Sequence, residues 1–207
     1  MVKIKICGLT SVRDILFVNQ YHPDYVGFVF ADSRRKVTPY IAREMIGLLS
    51  PSIKKVGVFV NEHIEKVNEI SEICQLDIVQ LHGNETPYYC LQVNKPVWKA
   101  VRVKDAKSLD VIKEYGSVDA ILLDTFSEKQ YGGTGTIFDW DMVKQAGIDQ
   151  KIVLAGGLNA ANVTSAIKAV RPYCVDVSSS VETDGIKDGA KIKEFIDRVR
   201  LEDKNYV

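Results

Sequence analysis

Short apolar segments alternate with helix-length segments eight times along the chain, and this alternation leaves few folds open. The apolar segments predict strands at Lys3–Cys7, Tyr25–Phe30, Lys54–Asn61, Asp77–His82, Val97–Val103, Asp119–Asp124, Lys151–Ala155 and Cys174–Ser178. Between and after them, helices are predicted at Ser11–Tyr21, Pro39–Leu49, Glu62–Cys74, Pro87–Val93, Asp105–Tyr115, Asp139–Ala146, Ala160–Val170 and Asp188–Val199. Strict βα alternation means a parallel sheet with right-handed crossovers. Eight such units predict closure into a single (β/α)₈ TIM barrel spanning residues 1–207. An open doubly wound sheet is the competing fold, but no dinucleotide-binding glycine fingerprint follows the first strand. Each unit has only about 26 residues, against about 30 in a typical barrel, which leaves little for insertions or a second domain.

Side-chain parity supports closure. Successive strand residues point to opposite faces. Ile4 and Ile6 share a face that excludes Lys3, Lys5 and Cys7. Val79 and Leu81 oppose Gln80 and His82, Ile121 and Leu123 oppose Asp124, and Val175 and Val177 oppose Asp176 and Ser178. The apolar face would pack on the helices and the mixed face would line the barrel axis. Its polar members, Cys7, His82, Asp124, Asp176 and Ser178, fall at C-terminal strand ends, where barrel active sites lie.

These residues have bland readings as well as chemical ones. Cys7 is either a thiolate at the mouth, favoured by Lys5, or a small buried apolar residue. Asp124 is either catalytic or the cap of a turn. Asp176 lies within a strand, where a buried carboxylate requires a partner. The run Ser33-Arg34-Arg35-Lys36 is either solvated surface or the source of an Arg that grips an anion over the mouth. The sharpest pattern joins Ala155-Gly156-Gly157-Leu158-Asn159 to Asp176-Val177-Ser178-Ser179-Ser180. Barrels often bind phosphate with the loops after strands seven and eight, where glycine lets backbone N–H groups approach an anion. His22 and His63 receive no role.

Composition narrows the partners. Lys and Arg number 27, as do Asp and Glu, so the net charge is zero and a nucleic-acid partner is not expected. No apolar run reaches the roughly 20 residues that span a bilayer, so no membrane association is expected. The segment MVKIKICGLT has no signal-peptide core, and Cys7, Cys74, Cys90 and Cys174 show no CxxC spacing. They read as free cytoplasmic thiols. With no ligand-spaced cluster, neither metal nor cofactor is expected.

Taken together, the motifs resemble the phosphoribosylanthranilate isomerase family, from Lys3 to about Arg198. They are Lys5-Ile6-Cys7-Gly8-Leu9-Thr10, Val26-Gly27-Phe28-Val29-Phe30, Ser33-Arg34-Arg35 and Val56-Gly57-Val58-Phe59-Val60-Asn61. Next come Val79-Gln80-Leu81-His82-Gly83, Leu122-Leu123-Asp124-Thr125, and Gly132-Gly133-Thr134-Gly135 with Phe138-Asp139-Trp140. Ala155-Gly156-Gly157-Leu158-Asn159 and Val175-Asp176-Val177-Ser178-Ser179 complete the set. The resemblance implies an Amadori rearrangement of a small phosphoribosyl substrate in tryptophan biosynthesis. It implies Cys7 as general base and Asp124 as general acid. Arg35, with Arg34 as fallback, would grip substrate, and Gln80, His82 and Asp176 would line its site. Gly156, Gly157, Ser178 and Ser179 would bind phosphate. The thiol would need its pKa lowered and the carboxyl its pKa raised. Ser180 stands where the family usually has Gly, a cost if the backbone there has positive φ.

The rival barrels fit less well. A histidine-pathway isomerase would be expected to use Asp on strands one and five, where this chain has Cys7 and no Asp. A pentose-phosphate epimerase needs a metal ligand set. An indole-glycerol-phosphate synthase is another phosphosugar barrel of this kind. A non-catalytic sugar-phosphate sensor would not need both Cys7 and Asp124. Monomer and homodimer are equally compatible with the sequence.

Overall fold

The computed structural model describes residues 1–125 and 139–204. Gly132 to Gly135 and Phe138, singled out above, lie outside the described residues. Eight parallel strands close in chain order into a barrel: β1 (Lys3–Cys7), β2 (Tyr25–Val29), β3 (Lys54–Phe59), β4 (Ile78–Leu81), β5 (Val97–Val103), β6 (Ala120–Thr125), β7 (Ile152–Leu154) and β8 (Cys174–Val177). Closure comes from β1, which pairs with β2 through Lys5 and Tyr25 and with β8 through Lys5 and Asp176. The connecting helices are α1 (Val12–Tyr21), α2 (Pro39–Gly47), α3 (Ile64–Ile73), α4 (Pro87–Cys90), α5 (Asp141–Gln145) and α6 (Val163–Val170). The long α7 (Gly189–Lys204) follows β8. Among the described residues, no helix is long and apolar enough to cross a membrane.

The parity expected from sequence is the parity observed. Ile4, Ile6, Val79, Leu81, Ile121, Leu123, Val175 and Val177 belong to the apolar layer shared with the helices. A second cluster that includes Tyr25, Val56, Ile78, Trp98, Ala100, Leu122 and Val153 fills the barrel interior. Lys5 shares that interior parity and is completely buried.

Local chemistry explains where the elements depart from expectation. The segment after β5 is a 3₁₀ helix, Ala106–Tyr115, not an α-helix. Its buried residues are Leu109, Ile112 and Tyr115, spaced by three, and a helix with three residues per turn puts all of them on one line. Helix α6 begins at Val163 rather than Ala160. The Asn159 carboxamide oxygen accepts the N–H of Ala161 (2.9 Å) and Asn162 (3.1 Å), building a turn that competes with the helix. Strand β3 stops at Phe59, before Asn61 takes left-handed backbone with φ 49°. Two short strands, β9 (Glu182–Thr183) and β10 (Ile186–Lys187), were not expected. They form a hairpin around Asp184 and Gly185, with φ 51° and 81°, as a two-residue primed turn requires.

Opposite the mouth, Asp24 joins three parts of the chain. It accepts the N–H of Ile4 (3.0 Å), the ammonium of Lys3 (2.8 Å) and the guanidinium of Arg200 (2.9 Å). Burial alone would raise its pKa, but these bonds outweigh it and hold the carboxyl below the usual range. A depressed folded-state pKa gives stability that is present above the unfolded value, near 3.9, and is lost as pH falls through the folded value. Asp24→Asn should therefore cost about 1–2 kcal/mol at pH 7. In denaturant titrations the gap should close in acid, and a gap unchanged at about pH 3 would contradict this reading.

Candidate active site

The C-terminal ends of β1, β6 and β8 bring the predicted residues to one mouth. The Lys5 ammonium donates to Asp176 Oδ2 at 2.8 Å, both groups being buried. Burial opposes the charge on Lys5, but Asp176 and Cys7 together hold its proton more tightly than usual. The Asp176 carboxyl is pushed above the usual range by burial, which Lys5 only partly offsets. Asp176 Oδ1 is buried and has no hydrogen-bond partner among the described residues. Burial likewise pushes the Cys7 thiol up, although Lys5 and Lys187 pull it down. A lowered thiol was expected, and the reverse holds because desolvation in the tightly packed mouth exceeds the pull of both cations.

Across the mouth, the His82 Nε2 lies 3.1 Å from Asp124 Oδ2. Gln80 Nε2 donates to His82 Nδ1 at 2.8 Å, which leaves the ring proton on Nε2 for Asp124. Asp124 Oδ1 accepts the N–H of Thr125 at 2.8 Å. Gln80 and His82 are thus tied to Asp124 as one buried chain. Gln80 Oε1 is itself buried and without a partner among the described residues, so the opposite amide orientation would let it accept an Nδ1–H.

Each of the two candidate acid–base residues rests against a glycine of another strand or loop. A Cβ on Gly27 of β2 would stand 2.6 Å from Cys7 Sγ. A Cβ on Gly156, with φ 77°, would stand 3.0 Å from Asp124 Oδ1 and 2.5 Å from the Thr125 nitrogen. These glycines set how closely neighbouring backbone approaches each group.

Of the two arginines after β2, Arg35 is the one over the mouth. Its side chain is 15% exposed against 59% for Arg34. Its Cδ lies where a Cβ on Gly8 would be, next to Cys7. Its Nε and Nη2 donate to the two oxygens of Glu182 at 2.6 and 2.9 Å. Glu182 also accepts from Lys187 at 2.7 Å, directly across the β9–β10 hairpin. The two loops expected to hold phosphate lie side by side, because Ser180 Oγ donates to the Leu158 carbonyl. Gly156 and Gly157 both have left-handed φ, 77° and 70°. Ser178 Oγ donates to the Cys7 carbonyl at 2.9 Å, so that hydroxyl joins β8 to β1. Ser179 opens the 3₁₀ turn Ser179–Val181. Ser180 is not among the residues with positive φ, so replacing glycine there carries no backbone cost.

This arrangement of candidate residues and loops coincides with a match to the family model for N-(5'phosphoribosyl)anthranilate (PRA) isomerase over residues 4–198. The chain belongs to the phosphoribosylanthranilate isomerase family. An N-(5'-phosphoribosyl)anthranilate isomerase from Caldanaerobacter subterraneus subsp. tengcongensis is 52% identical, over 97% of this chain and 98% of that relative. The crystal structure of phosphoribosyl anthranilate isomerase from Thermotoga maritima has a TM-score of 0.89 at 41% identity, covering 97% of this chain and 99% of that one. A crystal structure of phosphoribosyl anthranilate isomerase in complex with reduced 1-(o-carboxyphenylamino)-1-deoxyribulose 5-phosphate has a TM-score of 0.87 at 40% identity. It covers 97% of this chain and 99% of that one.

Sequence reasoning missed Glu182 and Lys187. The dipeptide Asp184-Gly185 was the available signal, since Asp-Gly favours a tight hairpin that would set the flanking residues face to face. It also missed the buried pair of Lys99 and Glu85, 3.0 Å apart, which clamps the loop after His82. Glu85 accepts the N–H of Gly83 (2.9 Å) and of Asn61 (2.8 Å).

Gly27 supplies a direct test of the mouth geometry. Gly27→Ala should force the Cys7 thiol aside by a good part of an ångström, which can cost about 100-fold in kcat. KM should change less than kcat, because a Cβ on Gly27 meets Cys7 and not Arg35 or the loops after β7 and β8. Unchanged kcat in a folded Gly27→Ala enzyme would show that the position of Cys7 is unimportant.

Proposed function

We propose that this barrel converts N-(5′-phosphoribosyl)anthranilate to 1-(2-carboxyphenylamino)-1-deoxyribulose 5-phosphate by acid–base catalysis, in the cytoplasm, as one barrel domain. The observation that carries the reading is the convergence of Cys7 and Asp124 on one mouth, with the buried Lys5–Asp176 pair behind Cys7 and His82 against Asp124. Asp124, protonated, gives its proton to the furanose ring oxygen. The C1′–oxygen bond breaks and the nitrogen lone pair forms the iminium. Cys7, as thiolate, takes the C2′ proton, and the C2′–H electron pair flows into the iminium to give the enolamine. Tautomerisation of the enolamine yields the ketose.

The buried partners fit these roles. The Lys5 ammonium favours the Cys7 thiolate, and the iminium adds a second positive charge as the ring opens. A thiol with a raised pKa is scarce as thiolate but strongly basic once formed. With the Gln80 amide reversed, Gln80 Oε1 accepts Nδ1–H and His82 Nε2 becomes the acceptor for the Asp124 hydroxyl. Gly156, Gly157 and the turn at Ser179 would receive the phosphate through backbone N–H groups. Arg35 would then take the remaining anion of the substrate, the benzoate carboxylate, with the two-point geometry that guanidinium offers.

Steady-state fluorescence assays test the assignment. Cys7→Ala and Asp124→Asn should each lower kcat by at least about 100-fold. KM should stay within a few-fold, since neither group holds an anion. Near-normal turnover in Cys7→Ala would exclude the thiolate as the base.

A further inference from the structure

Glu182 holds an unusual position for a carboxylate that touches no expected reacting atom. Its side chain is 4% exposed. It accepts from Arg35 twice, from Arg34 at 2.9 Å and from Lys187 at 2.7 Å. Three cations therefore meet one carboxylate. Such a cluster carries more positive charge than its own carboxylate can neutralise, which suits the edge of a site for an anionic ligand.

The choice of edge is informative. A guanidinium is planar and offers two bidentate edges, one through Nε and Nη2, the other through Nη1 and the second hydrogen of Nη2. Glu182 occupies the first edge. The plane of Arg35 is thereby fixed, and among the described residues no partner takes the second edge, which is open to a ligand. Lys187, with its side chain 1% exposed, donates to the Ser178 carbonyl at 3.0 Å and supports Glu182 from below. The Asp184-Gly185 turn sets the register that places Lys187 opposite Glu182.

We propose that Glu182 is a positioning residue for substrate recognition: by taking the Nε–Nη2 edge of Arg35 it aims the other edge at the substrate carboxylate. This rests on the reading of Arg35 given above. Glu182 contributes nothing to phosphate binding and nothing to proton transfer. Its effect therefore depends on two things, the presence of Arg35 and the presence of a carboxylate on the ligand.

Calorimetric titration of two probes separates these dependences. One probe is the reduced 1-(o-carboxyphenylamino)-1-deoxyribulose 5-phosphate, and the other is the same molecule without its carboxyl group. Glu182→Gln should weaken the carboxylated probe about tenfold, the scale of one charge-assisted hydrogen bond, and leave the other within twofold. On an Arg35→Ala background, Glu182→Gln should add no further loss. Because Glu182→Gln leaves Lys187 buried beside a neutral partner, Glu182→Gln/Lys187→Met is measured as well, against Lys187→Met alone, and should show the same selectivity. Equal weakening of both probes, or a full further loss without Arg35, would overturn the proposal. If Arg35→Ala itself binds the carboxylated probe normally, the reading of Arg35 fails and this proposal falls with it. If Arg35→Ala weakens that probe while Glu182→Gln does not, the proposal alone fails.

Discussion

The ion pair between Lys5 and Asp176 inside the barrel is the interaction on which the mouth depends. A small barrel must fill its interior with side chains, and most of this one is filled by apolar residues. Burying two charges there is costly, and an apolar pair of similar volume is often as stable or more so. The pair also stands where β8 meets β1, in register, two residues below Cys7 on the same face. Stability therefore gives no reason to prefer charge at this point, whereas a base at the mouth does. Lys5 divides its attraction between Asp176 and Cys7, and that division decides how far the cation offsets the burial that pushes the thiol up.

A buried polar chain recurs across the mouth. Asp124 is held by His82, which is held by Gln80, all three buried. Both proposed proton carriers are thus fixed by a buried polar partner, and both are approached closely by a glycine of another element. Arg35 follows a third version, in which Glu182 is the fixed partner and Gly8 provides the space. A reactive group, a buried partner and an adjacent glycine together hold each position within the tolerance that proton transfer and anion binding demand.

Most of the fold was legible because two independent periods agreed. The alternation of strand and helix segments predicted the barrel, and the two-residue period within strands separated Ile4 and Ile6 from Lys5 and Cys7. What could not be read followed from local competition. The Asn159 side chain delayed α6, and the three-residue spacing of Leu109, Ile112 and Tyr115 made a 3₁₀ helix of a predicted α-helix. In the site, Cys7, Asp124, Gln80, His82 and Asp176 were all named from the sequence, and Arg35 with Arg34 as fallback, but which of them would pair was not. Lys5 was visible by parity alone. Glu182 depends on a hairpin whose only signal is Asp184-Gly185, and the direction of the Cys7 shift depends on burial, which no motif encodes. The concern about Ser180 disappeared for a similar reason, since only the folded chain shows its φ and its bond to Leu158.

The most direct measurement is the ionisation of Cys7 itself, followed as thiolate absorbance near 240 nm in native enzyme and in Asp176→Asn, each corrected by its Cys7→Ala counterpart. In the native enzyme the step should lie above the ordinary thiol value, because burial outweighs Lys5. In Asp176→Asn the amide still accepts from Lys5 but no longer neutralises it, so the thiolate becomes the counter-ion and the step should move to lower pH. A Cys7 step at the same pH in both proteins, or one that moves upward, would contradict control of the thiol by the buried pair.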